Sequence, residues 1–472
     1  MKHCKITLKP YEKEQYITRL DVTMAFDSPI CEAAGEFCRM MLVGYSVPGC
    51  DPVAFEIQDD LGIVPYKTSE LNEYPYEYKV YDVERAPKGN VCVQYTIVPR
   101  AYKPDHRCGP YFDFKTELGG ANASGLVLLP MFKDYYGEIS IHWDCSEMPD
   151  DCYGVNAFGE RDFTKVCELE ALRTSYFAFG HIHSITEGDF GFYWFGEPYF
   201  DTAAIAEYTK KLYAVMAPFF GDTESVYRIF LRKDPYKNSG GTAQKRSYIW
   251  GWNDHQPVSV EEKKTILAHE LVHNWPHLAD EPYGLTTWYS EGAAEYYSVI
   301  LPLRAGLITK EQAMKEIQGW TDAYYTNPTR HMENVEAAKI CWEDRRAQKL
   351  AYGRGVFFLA NVDAKMRLAT GGERGIDDVV LAILEIARAQ TGRTSNVETF
   401  AETALSNELF LEKVKEFSGL DLIEDFEIMR TGTHFAPHKD SFDAWFDVKE
   451  EQAVEADTGI PVTSYRWSLR ES

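Results

Sequence analysis

The sequence has no CxxC pair, no apolar run long enough to span a bilayer, and far fewer basic residues than acidic ones. Each absence closes a class of function. Its ten cysteines stand at positions 4, 31, 38, 50, 92, 108, 145, 152, 167 and 341, and the start MKHCKITLKPYEKEQY lacks the apolar core of a signal peptide. Buried, reduced thiols in a cytoplasmic protein are therefore expected. No apolar stretch approaches the roughly 18 residues of a membrane span, so no membrane partner is expected. With 73 acidic against 49 basic residues and a formal net charge of −24, the chain lacks the basic face that phosphate neutralisation needs. That excludes nucleic acid as a partner and leaves solubility as the plain use of the acidity.

What is present points to a globular protein of two or three domains, since 472 residues exceed one ordinary core. Residues 1–165 read as a β-domain: in Val91-Cys92-Val93-Gln94-Tyr95-Thr96-Ile97, apolar and smaller or polar residues alternate at period two. The character changes near residue 200. Ile205, Tyr208, Leu212 and Met216 recur at helical spacing, and a short strand is expected over 226–232. From Ser259 onward the pattern is almost wholly helical, with helices expected at about 260–275, 287–300, 310–325, 345–369, 376–390 and 396–417. Residues after about 440 are acidic and aperiodic, and an extended tail packed on the body is expected. The fold class is α+β, with segments 1–165, 166–325, 326–440 and a tail, 441–472.

The chemistry is concentrated in Thr265-Ile266-Leu267-Ala268-His269-Glu270-Leu271-Val272-His273-Asn274-Trp275. Ser259 with Glu262 forms a capping box that signals the helix start, and Pro276 ends the helix soon after His273. Histidines four apart on a helix project from one face and can share one ion. Zinc suits them, because a hydrolytic site needs three protein ligands with one position left to water. Glu270, on the adjoining face, can take the proton of the attacking water and hand it to the leaving amine.

A third ligand is expected on the next helix, which reads Trp288-Tyr289-Ser290-Glu291-Gly292-Ala293-Ala294-Glu295-Tyr296-Tyr297. Gly292, Ala293 and Ala294 remove the bulk that would keep this helix from approaching the first, and Glu291 is the preferred ligand. Glu295, one turn on, reads either as an acceptor for a ligand imidazole N–H or as a solvated surface carboxylate. A third histidine six residues beyond His273 is ruled out, because that position is Ala279.

HELVHNW followed by WYSEGAAEYY resembles the gluzincin zinc metallopeptidases (HExxH with a downstream Glu), and within them the M61 glycyl-aminopeptidase-like family, related to the M1 aminopeptidases. The segment Tyr352-Gly353-Arg354-Gly355-Val356-Phe357-Phe358, then Asp363, Lys365 and Arg367, then Gly371-Gly372 and Ile376-Asp377-Asp378, is similar to that family's Y-x-(R/K)-G-A helix and following turn. The resemblance covers roughly residues 185–435. It implies an N-terminal β-domain before a thermolysin-like, mainly helical catalytic domain. It also implies zinc as cofactor, a peptide or protein substrate, and Tyr352 as donor to the developing oxyanion.

Two departures stand out. The gap between His273 and Glu291 holds seventeen residues, one fewer than the common M1 spacing; Pro276, Pro282 and Gly284 in that loop absorb the difference. More consequentially, where relatives carry a motif whose Glu helps bind the substrate's α-amine, this chain has Gly240-Gly241-Thr242-Ala243. Gly240 and Gly241 read as a place where a substrate strand lies close to the backbone, or else as a turn, while Ala243 replaces the carboxylate. Zinc-dependent peptide hydrolysis is thus the expected function, with aminopeptidase or endopeptidase action left open. The alternative is a peptide-binding protein of the same fold that is catalytically weak or inactive.

Overall fold

The computed structural model describes residues 1–45, 47–100, 109–224, 226–235, 240–256, 258–280, 283–391 and 405–470. The chain forms two compact units, Met1–Ala206 with Ser225–Val260, and Glu207–Glu224 with Glu261–Ser472.

The first unit is rich in strands. Its largest sheet runs in the spatial order Phe163–Glu168, Tyr136–Trp143, His3–Lys13, Tyr16–Phe26, Val91–Ile97, Val53–Asp59 and Gly62–Ile63. The period-two pattern of Val91–Ile97 appears directly as burial: Val91, Val93, Tyr95 and Ile97 face the core, and the residues between them do not. Two single-turn helices, α1 (Gly125–Leu128) and α2 (Leu169–Arg173), punctuate this unit.

A second, five-stranded sheet has the order His183–Glu187, Phe190–Trp194, Tyr227–Lys233, Ser247–Trp252, Gly241–Gln244. Its three middle strands run parallel, and Tyr227 to Arg232 are buried without a break, as a strand covered on both faces must be. Gly241–Gln244 lies at the sheet's edge, antiparallel to Ser247–Trp252. Helix α3 (Thr202–Phe219) follows the strand Phe190–Trp194 in sequence.

The second unit is helical: α4 (Val260–Val272), α5 (Thr287–Arg304), α6 (Lys310–Tyr325), α7 (Asn334–Ile340), α8 (Arg345–Ala369), α9 (Ile376–Thr391), α10 (Asn407–Ser418) and α11 (Ile423–Thr431). A β-rich N-terminal part and a helical C-terminal part agree with the α+β reading. The spans expected at 310–325 and 345–369 coincide with α6 and α8. Of the helix expected at 396–417, residues 396–404 lie outside the described residues, and α10 accounts for the remainder. Helix α4 stops earlier than expected, at Val272. Beyond it Asn274 and Trp275 donate to Leu271 and Val272, a tightening from i−4 to i−3 bonds that prepares for Pro276, which has no N–H.

The stretch after residue 440 is not a plain extended tail. Phe446–Val454 and Pro461–Leu469 pair as an antiparallel hairpin, and Trp467 Nε1 of the second strand donates to Thr321 Oγ1 of α6 at 2.8 Å. Among the described residues the cysteines are free thiols, and no helix is long and apolar enough to cross a membrane.

Helices α5 and α8 touch backbone to backbone. A Cβ on Gly292 would sit 2.4 Å from the backbone of Gly355, and one on Gly355 would sit 1.9 Å from the Trp288 carbonyl oxygen. Of the small residues after Glu291, Gly292 therefore serves a different contact from the one expected: it lets α5 approach α8. Gly355→Ala is accordingly expected to cost on the order of 3 kcal/mol through overpacking and to lower the melting temperature by several degrees. Thermal unfolding measures it, and an unchanged midpoint would show that the two helices can part freely.

Candidate metal centre

Helix α4 is anchored by Leu267, Ala268, Leu271 and Val272, all fully buried. Trp275 locks its end, stacking on Phe220 at 4.8 Å between ring centres and donating Nε1–H to Asp222 at 2.8 Å. With that face packed, the opposite one presents His269 and His273. Their Nε2 atoms lie 3.1 Å apart, and each is 3.5 Å from Glu291 Oε2, which α5 supplies.

These distances can be tested against an ion. Zinc binds imidazole nitrogen and carboxylate oxygen at about 2.0–2.2 Å, so two ligands on a tetrahedron stand about 3.4 Å apart. The observed 3.1, 3.5 and 3.5 Å match three edges of such a tetrahedron, and among the described residues His269, His273 and Glu291 form the only group with this ligand convergence. Glu291 Oε2 is buried and makes no well-directed hydrogen bond, a costly state for a carboxylate oxygen unless a cation meets it.

The electrostatics agree. Burial disfavours a charged imidazole at His269, yet Glu295, Glu291 and Glu270 outweigh it and carry its pKa up to about 10. Burial likewise disfavours the Glu291 carboxylate, and the two imidazoles nevertheless hold its pKa well below the usual range. Both shifts express one demand, for positive charge between the imidazoles and the carboxylate.

Glu295, Glu270 and Tyr352 interact with these ligands. Glu295 Oε2 lies 3.5 Å from His269 Nδ1, the nitrogen facing away from Glu291, and Glu295 is buried rather than solvated. Glu270 is also buried; burial, helped by Glu291, raises its carboxyl pKa against the pull of His269, His273 and Lys349. The Tyr352 ring lies nearly parallel to that of His269, with centres 5.8 Å apart and planes 4° from parallel. Burial, then Glu291, Glu270 and Glu295, push its phenol pKa far up, so it stays a donor at any physiological pH. Gly240 and Gly241 belong to the first unit, Gly241 opening the edge strand Gly241–Gln244, in which Ala243 pairs with Tyr248.

Two features escaped the sequence. Lys349 places its ammonium 3.8 Å from the centre of the Tyr352 ring; a spacing of three on a helix is the signal that marks it as Tyr352's neighbour. Beside Glu291 and Tyr352 there is also a cavity of about 40 Å³, walled by Trp288, Ala338, Cys341 and Ala351.

How the chain reaches this arrangement is readable in α8. Arg354, fully buried, donates to Asn334 Oδ1 at 2.6 Å, to the Arg330 carbonyl at 2.6 Å and to the Met332 carbonyl, fastening α8 to the segment that leads into α7. Asp363 accepts from the first N–H of α9, that of Ile376, at 3.1 Å. Tyr352 is thus carried on a helix fixed on two sides.

Comparison with known proteins bears on the same region. Residues 262–352 match the M61 glycyl aminopeptidase family, a span that begins just ahead of His269 and closes on Tyr352. A search of curated proteins gives no match. Among solved structures, an aminopeptidase N family protein from Idiomarina loihiensis is similar over 98% of this chain and 81% of its own, with 13% identity and a TM-score of 0.71. An M1 zinc metallopeptidase from Deinococcus radiodurans, a mutant bound to a Tyr-Ser-Ala substrate, is similar over 92% of this chain and 94% of its own, with 15% identity and a TM-score of 0.55. The segment that holds the site is therefore similar to the M61 glycyl aminopeptidases, and the chain around it has a fold similar to that of the M1 zinc metallopeptidases.

Proposed function

We propose that this protein is a zinc-dependent peptidase in which His269, His273 and Glu291 hold the ion. The observation that carries this reading is the convergence of the two Nε2 atoms and Glu291 Oε2 at tetrahedral-edge distances. Bound zinc supplies Lewis acidity, bringing the pKa of a water toward 7 and polarising a carbonyl oxygen.

The chain's own residues do the rest. Glu270 accepts the attacking water's proton on a carboxylate oxygen and returns it to the departing amine; its upward shift brings it nearer the pH at which it must work. Tyr352 donates its O–H to the carbonyl oxygen as negative charge gathers there. Glu295 accepts from His269 Nδ1–H, which fixes the tautomer whose Nε2 lone pair faces the ion. The edge strand starting at Gly241 suits pairing with an extended peptide, with Gly240 and Gly241 giving close backbone access. The cavity beside Glu291 has room for a small apolar side chain.

In this reading residues 166–325 are a thermolysin-like catalytic domain between the β-domain 1–165 and the helical subdomain 326–440, followed by the segment 441–472, and the protein works in the cytoplasm. The aminopeptidase relatives favour removal of N-terminal residues. Ala243, standing where a carboxylate would meet the amine, favours a weak dependence on a free N-terminus.

Metal analysis and peptide-library hydrolysis test the reading. Purified protein is expected to hold about one zinc, to lose hydrolysis on chelation and to regain it with zinc. Tyr352→Phe is expected to keep the metal while kcat falls about 10²–10³-fold. A protein that binds no zinc, or a Tyr352→Phe variant with full turnover, contradicts the proposal.

A further inference from the structure

Lys349 lies one helical turn before Tyr352 and is only partly exposed. Its ammonium rests against the Tyr352 ring, 3.8 Å from the centre, and its field reaches Glu270, whose carboxyl it favours in the charged form. Unlike Lys264, which pairs with Glu261, or Lys365, which pairs with Asp425, Lys349 makes no ion pair among the described residues. In a chain of net charge −24, a cation whose field reaches the Glu270 carboxylate and which is yet unpaired is conspicuous. A ring face alone satisfies it weakly, since a cation–π contact at an accessible site contributes about 0.5–1 kcal/mol and leaves the N–H donors free for an acceptor.

We infer that Lys349 is a recognition residue for a substrate carboxylate next to the bond being cleaved. This rests on the peptidase reading above, which puts the reacting carbonyl at Tyr352. One residue advances a peptide by about 3.5 Å, so a carboxylate on the residue adjoining that carbonyl comes within reach of an ammonium lying against Tyr352. Two sources share this chemistry: the C-terminal carboxylate of a short peptide, and the side chain of a Glu or Asp. The preference follows from charge. The carboxylates of Glu270, Glu291 and Glu295 outnumber the charges of one divalent ion, and Lys349 supplies a further cation to a substrate that brings its carboxylate to this side of the site.

The test uses full-length, zinc-loaded protein with the four dipeptides Ala-Glu and Ala-Gln, each with a free or an amidated C-terminus, in which the second residue always adjoins the reacting carbonyl. Binding is read by calorimetry on Glu270→Gln protein, so that turnover does not consume the peptide, and kcat/KM is measured on protein with Glu270 intact. Lys349 with its native site is expected to favour carboxylate over amide by about tenfold, consistent with a charge-assisted hydrogen bond. Lys349→Ala should bring the ratio close to one, and Lys349→Arg should restore most of it. Added salt should shrink the preference.

A preference that follows amidation assigns the C-terminal carboxylate, and one that follows Glu against Gln assigns the side chain. A carboxylate preference that Lys349→Ala leaves intact overturns the inference, as does the absence of any preference or of measurable binding. Hydrolysis without the preference sinks this inference and leaves the peptidase reading standing. Lys349-dependent preference in binding without any hydrolysis does the reverse.

Discussion

Glu270→Gln is expected to keep its zinc and lose its turnover. The substitution preserves shape and removes charge, and His269, His273 and Glu291, whose ligand atoms converge, are untouched. What disappears is the carboxylate that takes the water's proton. Glu270 is buried, so bulk water is poorly placed to substitute for it, and the loss in kcat should reach the upper part of the usual range for a positioned base, about 10⁴-fold. Elemental analysis and steady-state rates on one preparation decide the matter. Zinc retained with rates near those of the native protein would remove Glu270 from the mechanism. Zinc retained with no hydrolysis by either protein would instead favour a peptide-binding role.

Glu291→Ala should act on the metal itself. Of the three converging atoms it deletes the only anionic one and leaves two imidazoles, one of them, His269, buried. Structural zinc sites with four ligands bind with about 10–16 kcal/mol; losing one ligand of three here should weaken affinity by roughly a thousandfold or more. Because a ligand that binds only the folded state raises its melting temperature, zinc should stabilise the native protein and have little effect on Glu291→Ala. The readout is a pair of zinc titrations followed by thermal unfolding, with far-ultraviolet circular dichroism to verify that the variant folds. An equal zinc-induced rise in both proteins would exclude Glu291 as a ligand.

How much of this was legible in sequence depends on how local the signal is. The i, i+4 histidines needed one helix and nothing else, and the structure brings their nitrogens together. Glu291 was reached through the small residues beside it, although Gly292 turned out to face Gly355 rather than α4. A pattern of small residues announces a close contact without naming the partner. Tyr352 came from resemblance, since nothing in composition marks one tyrosine among 30. Lys349 was not seen, because its position matters only once Tyr352 is known to be at the site.

The hairpin after residue 445 was missed for a different reason. Its first strand, Phe446–Val454, buries only Phe446, the rest being half-buried or exposed. Its acidic composition therefore reads as a tail. The second strand buries Val462, Ser464, Tyr465 and Trp467, so its period-two pattern breaks at Tyr465, although the turn signal Asp457-Thr458-Gly459 stands between the two strands. Helices α7 and α11, of seven and nine residues, are too short for a helical period to stand out.

The contact between Gly292 and Gly355 joins two positions that chemistry treats as separate. Glu291 precedes the first glycine by one residue and Tyr352 precedes the second by three. The proposed metal ligand and the proposed oxyanion donor thus share a single point of registration. A change at this crossing moves both groups at once, and neither can be retuned alone by sliding its helix. In a variant library, substitutions along α5 and α8 should therefore show coupled rather than additive effects, and positions 292 and 355 should tolerate the least variety of any on the two helices.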